Sequence, residues 1–386
     1  FGYSQIQSAI DASINGDTII VSPGTYFEAL NIEAKTFVLA SKFLLTNDTS
    51  FISSTIIDGG VISITHHYQT FPSFSTPQVI GFNVKNADNG IYIEGWTSPM
   101  IKHCNINNNG TGYGNGAGIH VSGDSYTNNR QNCQPVFESL VVKNNSASYG
   151  GGIWCSSNSN PVFNNLLVKN NTASQIGGGI CLSSGGVFDN CEISNNLAAL
   201  SGAGVYKGGS QYLTFNNCTI NENEITGDGG GNLNNGRGVA ICDVSYNSRL
   251  IIDNSIIRGN KYSLPGTTRR SIIWLTSNLF LSNVLLDSNN TSQAYNSSSY
   301  IIESDDNNEN DSIIFSNVKI VNNISSGVRL YDYDNQYNNT TCCASYLLFE
   351  NTLIANNSGI GVRSYNYEPI FNHVTISNNA LNSSNF

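Results

Sequence analysis

The chain has 386 residues and a net charge of -10, with charged residues at only 11% against the usual ~25%. Its 17 basic residues are spread thinly, which argues against nucleic acid and against an anionic membrane surface as partners; no run approaches the ~20 apolar residues of a membrane-inserted helix. Hydrophobic residues make up 39% and recur periodically, which excludes a disordered chain.

The chain opens on Phe1 rather than Met, as expected either after removal of a signal peptide or from an artificially trimmed start; an extracellular or cell-surface location is the expectation. Asn-x-Ser/Thr sequons are abundant, as at Asn47, Asn170, Asn290, Asn323 and Asn339, but a chain this rich in Asn and Ser produces many by chance. In residues 4–14 the spacing puts Ile6, Ala9, Ile10 and Ile14 on one helical face. A short helix there would cover unpaired strand edges at the open end of a first coil. Asn15-Gly16-Asp17 is a turn, and residues 18–21 are a strand; residues 1–24 form this N-terminal cap and first strand. Further strands are expected at 37–40 and 55–57, closed by Asp58-Gly59-Gly60. His66-His67 falls in a stretch read as a solvated loop.

From Val79 a motif returns eleven times, starting at Val79, Ile101, Phe137, Phe163, Phe188, Phe215, Ile252, Leu281, Phe315, Phe349 and Phe371. The start is apolar in every copy, and so is the position five later, for example Val142, Val168 and Ile193. An interval of five cannot lie on one face of a straight strand, whose faces alternate with period two. It fits two short strands joined by a bend, both pointing inward. The bend column holds Asn at 165, 190, 217, 254, 283, 317 and 351, and Asn tolerates the left-handed backbone of a sharp bend. Stacked on one another, these Asn side chains are also expected to bond in a ladder. The column eight after the start is Asn in ten of the eleven copies and marks the next bend. Upstream lies a third apolar segment, often with glycines, as in GAGIHVS, GGGIWCS, GGGICLS and GAGVYKG. Three strands per coil, hinged at Asn and Gly, describe an all-β, single-stranded parallel β-helix. A solenoid grows by adding coils, so residues 1–386 are expected to form one domain, with eleven recognisable coils over 79–386. Copies are spaced 22 to 37 residues apart, and the excess is read as loops at 110–133, which includes one strand, 224–249, 260–271, 290–312 and 325–346, where binding usually resides. No cap-like segment follows the last Asn-Asn, so either further protein or something else is expected over that edge.

Candidate residues for chemistry are few. Cys104, Cys191 and Cys218 share an inward column three after the start, as small buried hydrophobes; Cys191 and Cys218, one strand spacing apart, are alternatively a disulfide pair. Cys342-Cys343 is a vicinal pair in a loop. His103 and His373 stand in the bend column as substitutes for Asn, and His120 should face outward beside Ile119. Arg269-Arg270 is read in a loop. The acidic stretch 303–311 offers Asp305, Asp306, Glu309 and Asp311 either as a solvated loop or as a calcium site, calcium being the one cofactor raised. Trp154, Tyr206 and Tyr246 take outward positions, where aromatic rings stack on sugars or simply cover a sheet face.

Glycine-rich GGGI segments before F-x-N and a terminal Asn-Asn resemble the right-handed parallel β-helix superfamily, the pectate-lyase-like fold. The opening IQSAIDASINGDTIIVSPGTYFEALNI is similar to the cap and first coil of many secreted bacterial members, and TIIDGG at 55–60 matches the same group. The repeat also resembles that of chlamydial polymorphic outer-membrane proteins, whose motif has a two-residue gap where this chain has one. The resemblance covers nearly the whole chain and implies the fold, which hosts lyases, hydrolases, adhesins and tailspikes alike. Its enzymes need clustered carboxylates beside Arg or Lys; no Arg-x-Lys, Gly-His-Gly or strand-borne Asp pair is visible. The expected function is therefore a non-catalytic extracellular β-helix in surface structure, adhesion or filament assembly, partnering itself or surface polysaccharide. A polysaccharide lyase, a glycosidase or a carbohydrate-binding module is the alternative.

Overall fold

The computed structural model describes residues 2–66, 75–123, 133–227, 237–245, 248–263, 270–291, 299–306, 312–332, 346–365 and 369–380, with backbone alone at 305, 306 and 332. It is a right-handed parallel β-helix with three strands per coil and an N-terminal helix. Two compact units are distinguished, residues 1–174 with 178–192, and residues 175–177 with 193–386.

In the first unit one coil runs through Ile153–Cys155, Val162–Asn164 and Leu167–Lys169. Each strand pairs in parallel with its counterpart one coil away, so Phe163 stands over Phe137 and Val168 over Val142. The five-residue interval works as read: Phe163 and Val168 are both fully buried, on either side of a bend at Asn165 with φ 55°. The bend residue has positive φ in all eleven copies, including Gly81, His103, Ser139 and His373. Stacked phenyl rings fill the interior, with Phe137–Phe163 at 5.3 Å and Phe163–Phe188 at 4.3 Å. Each such buried side chain contributes roughly 1.5–3 kcal/mol.

The interior ladder is built by the Asn eight after the start, one corner on from the column expected to carry it. Asn145 donates from both its backbone N and its Nδ2 to Asn171 Oδ1, at 3.0 and 2.9 Å, and from Nδ2 to the Ile106 carbonyl at 3.1 Å. The glycine signature belongs to this ladder. A Cβ on Gly118 would lie 2.9 Å from Asn145 Nδ2 and 2.5 Å from the Gly152 carbonyl, so only glycine leaves room. First-bend asparagines bond instead on the outside, as where Asn317 Nδ2 reaches Asn283 Oδ1 at 3.2 Å in the second unit.

At the start, the helix is Ile6–Ala12 and buries Ile6 and Ile10. Its N-terminal amides, from Ile6 and Gln7, are capped by the Glu28 carboxylate at 2.9 and 3.0 Å. Ile14, expected on the same face, lies beyond the helix and is 71% exposed. Two short helices not foreseen, Phe43–Thr46 and Ser50–Ser54, pack Phe43 and Ile52 against Ala40 and Ile80. His66 is a correction: it ends the strand Ile62–His66, is fully buried, and its Nδ1 lies 2.9 Å from Ser75 Oγ. It follows Ile62 and Ile64 in the inward parity, which outweighs its polarity. His67 lies outside the described residues.

The second unit has a ladder of the same kind through Asn196, Asn223, Asn260, Asn289, Asn323, Asn357 and Asn379. Here the expected loops 224–249, 260–271, 290–312 and 325–346 each contain part or all of a third strand: Ile241–Asp243, Arg270–Leu275, Ser299–Asp306 and Ser326–Asp332. Arg270 is thus a buried strand residue with its guanidinium 4.5 Å above the Tyr262 ring, not a loop residue. Arg269 lies outside the described residues. Phe371 and Ile376, in the last described coil, carry the core pattern yet are 48% and 47% exposed, because no described coil stacks on them.

Candidate functional site

The third sheet of the first unit aligns Ile91–Gly95, Ile119–Ser122 and Ile153–Cys155. Alternation sends Ile91, Ile93, Ile119, Val121, Ile153 and Cys155 into the core. The register then places Tyr92, His120 and Trp154 side by side on the outer face, with Glu94 beside Ser122. All of these outer residues are partly buried. The ring centroids of Tyr92 and His120 are 5.0 Å apart with a 37° tilt, and those of His120 and Trp154 are 4.6 Å apart with a 45° tilt.

Polar contacts fix the Tyr92 and His120 rings. Tyr92 donates its hydroxyl to Glu94 Oε2 at 3.0 Å. Burial first, and the Glu94 charge second, push the Tyr92 phenol up to about 12, so it keeps its proton. His120 Nδ1 lies 3.0 Å from the Asn115 carbonyl, an acceptor, so Nδ1 carries the proton and Nε2 the lone pair. The same carbonyl accepts Asn89 Nδ2 at 3.0 Å. Gly116, with φ 60°, brings this loop down: a Cβ there would be 3.0 Å from both His120 Cα and Trp154 Cβ.

Burial lowers the proton affinity of His120, outweighing the raising effects of the Asn115 carbonyl and of Glu94. Between that depressed value and the ordinary ~6.5, the unfolded chain holds the extra proton. Stability through this group is therefore expected to fall as the pH drops through that window. Melting temperatures of the wild type and His120→Gln, compared from neutral pH down to pH 5, check it: the variant should show the shallower decline.

Of the other residues singled out from sequence, Tyr206 belongs to the second unit, half-buried on the outer face of its third sheet in register with Cys242. Tyr246 lies outside the described residues, as do Cys342 and Cys343. Cys191 and Cys218 are buried, and each donates its thiol to a carbonyl two residues back, Asp189 at 3.3 Å and Asn216 at 3.2 Å. Cys104 is buried likewise, and burial pushes its thiol up to about 11. Asp305 and Asp306 end the strand Ser299–Asp306 rather than sitting in a loop, while Glu309 and Asp311 lie outside the described residues. Glu303, first of that acidic stretch, is fully buried and accepts Arg329 Nη1 at 2.8 Å. Among the described residues no group of three or more His, Cys, Asp or Glu is placed to hold a metal ion.

Sequence reasoning missed Tyr92 and Glu94, although IYIEG has the same in-out alternation as IHVS. It also missed an ion pair pointing inward in the second unit. Lys207 Nζ lies 3.3 Å from Asp243 Oδ1, both side chains being fully buried, and donates to Ser245 Oγ at 2.7 Å, Ser248 Oγ at 2.5 Å and the Gly209 carbonyl at 2.5 Å.

Residues 89–307, more than half of the chain, match the family model described as right handed beta helix region. Among curated proteins no sequence matches the chain. Three solved structures are similar at low identity. A pectin methylesterase in complex with a hexasaccharide is 12% identical, over 76% of this chain and 86% of that one, with a TM-score of 0.24. An endo-xylogalacturonan hydrolase from Aspergillus tubingensis is 12% identical over 95% and 90%, with a TM-score of 0.23. The tailspike receptor binding domain of siphovirus 9NA is 11% identical over 100% and 76%, with a TM-score of 0.25.

Proposed function

Because the chain belongs to the right-handed β-helix family, we propose that it is a non-catalytic β-helix of the cell exterior, serving adhesion by holding carbohydrate on the outer face of the third sheet of its first unit. The observation that carries this reading is the partly exposed row Tyr92, His120 and Trp154 beside Glu94. Aromatic rings offer flat apolar faces to the C–H faces of sugars, and a neighbouring carboxylate orients hydroxyls. Three adjacent strands hold these groups in fixed register, so little conformational freedom remains to be lost on binding.

The test is a panel of oligosaccharides titrated against the wild type and Trp154→Ala by calorimetry, with circular dichroism to confirm that the variant folds. Removing the indole is expected to weaken the bound glycan about tenfold, roughly 1.4 kcal/mol. The same panel is scored for unsaturated products and new reducing ends. Turnover by the wild type would replace this reading with that of a polysaccharide-active enzyme.

A further inference from the structure

The polar inventory of this face limits what it can hold. Across the described outer positions of the third sheet in the first unit, the register runs Asn31–Ser63–Tyr92–His120–Trp154–Cys181 in one column and Glu33–Thr65–Glu94–Ser122 in the next. Neither column contains Lys or Arg, and the second contains two carboxylates. The Tyr92 proton is committed to Glu94, and the Nδ1 proton of His120 to the Asn115 carbonyl. What remains towards a ligand is mostly acceptor: the Glu94 carboxylate and the Nε2 lone pair of His120, with Ser122 able to act either way and the Trp154 indole N–H as a neutral donor.

We propose that this face takes a saccharide that donates hydrogen bonds and carries no negative charge, a neutral or amine-bearing glycan in preference to an acidic one. The proposal rests on the carbohydrate-binding reading above and names its ligand class. A uronate or sulfate brought here would lose water beside Glu94 with no described cation on either column to compensate it, and like charges at such range repel. A sugar hydroxyl meets acceptors that need its proton. A protonated amine gains further, from the Glu94 charge and from the negative ring faces of Tyr92 and Trp154. The net charge of -10 over the whole chain acts in the same direction.

The experiment uses the full chain at neutral pH and low salt, with three oligomers of equal length: a neutral β-linked glucose oligomer, an N-trimethylated glucosamine oligomer whose charge does not titrate, and a galacturonate oligomer. Each is titrated against the wild type, Trp154→Ala and Glu94→Gln. Binding of either of the first two that depends on Trp154, with the galacturonate oligomer at least tenfold weaker, is the expected result. Glu94→Gln should narrow that gap several-fold, by relieving the repulsion of the acidic ligand and, for the cationic one, removing its attraction. Galacturonate bound through Trp154 as tightly as the others would overturn the ligand class and leave carbohydrate binding standing. An unchanged gap in Glu94→Gln would overturn the charge argument. No Trp154-dependent binding of any oligomer would remove the carbohydrate reading, and this proposal with it.

Discussion

Replacing Asn223 by Ala is expected to destabilise the second unit by roughly 3–5 kcal/mol. Asn223 is fully buried. Its Oδ1 accepts both the backbone N–H and the Nδ2 of Asn196, each at 3.0 Å. Its Nδ2 donates to the Ile193 carbonyl at 2.9 Å and to Asn260 Oδ1 at 3.0 Å. Truncation takes the acceptor from two donors and a donor from two acceptors, all in the interior. A buried polar atom left without its bond costs about 1–3 kcal/mol, more than the net gain of making it. Denaturant unfolding measures the loss. The control is Asn254→Ala, an exposed first-bend residue at φ 46° whose Nδ2 donates to its neighbour Asp253 at 3.2 Å. There only left-handed strain is added, about 1–2 kcal/mol. Equal losses at the two positions would mean that the Asn column matters for its backbone conformation and not for its ladder.

That contrast explains how much of the fold could be read in advance. A bend needs one residue in a left-handed conformation, and Asn165, Asn190 and Asn217 announce it locally. The inward pair Phe163 and Val168 is equally local, because one corner separates them. The buried ladder lies in the second Asn column while the first bonds on the surface; both columns repeat in step, and only the direction of the side chain tells them apart. Third strands in the second unit hid in supposed loops for a different reason. In Ile272-Ile273-Trp274-Leu275 and at Ile301-Ile302 apolar residues follow one another without alternation, and the glycine signature is absent from RSIIWL and YIIESDD. The candidate site was half legible. His120 and Trp154 stood out by type and parity. Their union with Tyr92 and Glu94 depends on register between coils of unequal length, which spacing does not reveal.

Parity alone would have placed Lys207 inside, two residues after Val205 on the same strand, and the charge there makes the second large prediction. Lys207→Met is expected to cost about 3–5 kcal/mol, because it leaves Asp243 charged and buried with its cation gone. Asp243 would retain the Ser245 backbone N–H at 3.0 Å and the Ser277 hydroxyl at 3.4 Å, neither of which carries charge. The next residue in this inward column is Leu275, so the column already accepts an aliphatic side chain. The double variant Lys207→Met with Asp243→Leu should therefore regain most of the loss, since well-packed apolar replacements of a buried ion pair are often neutral or better. Urea midpoints of the two variants and the wild type decide it. A single variant within about 1 kcal/mol of the wild type would show that water or rearranged serines solvate Asp243 instead. The pH dependence gives a second readout. Burial lowers the proton affinity of Lys207, against the raising pull of Asp243. Between that lowered value and the ordinary ~10.4, the unfolded chain binds the extra proton, so stability through this group rises as the pH climbs through that window. The rise should be missing from Lys207→Met and present in a variant that alters only the outer face, such as Trp154→Ala.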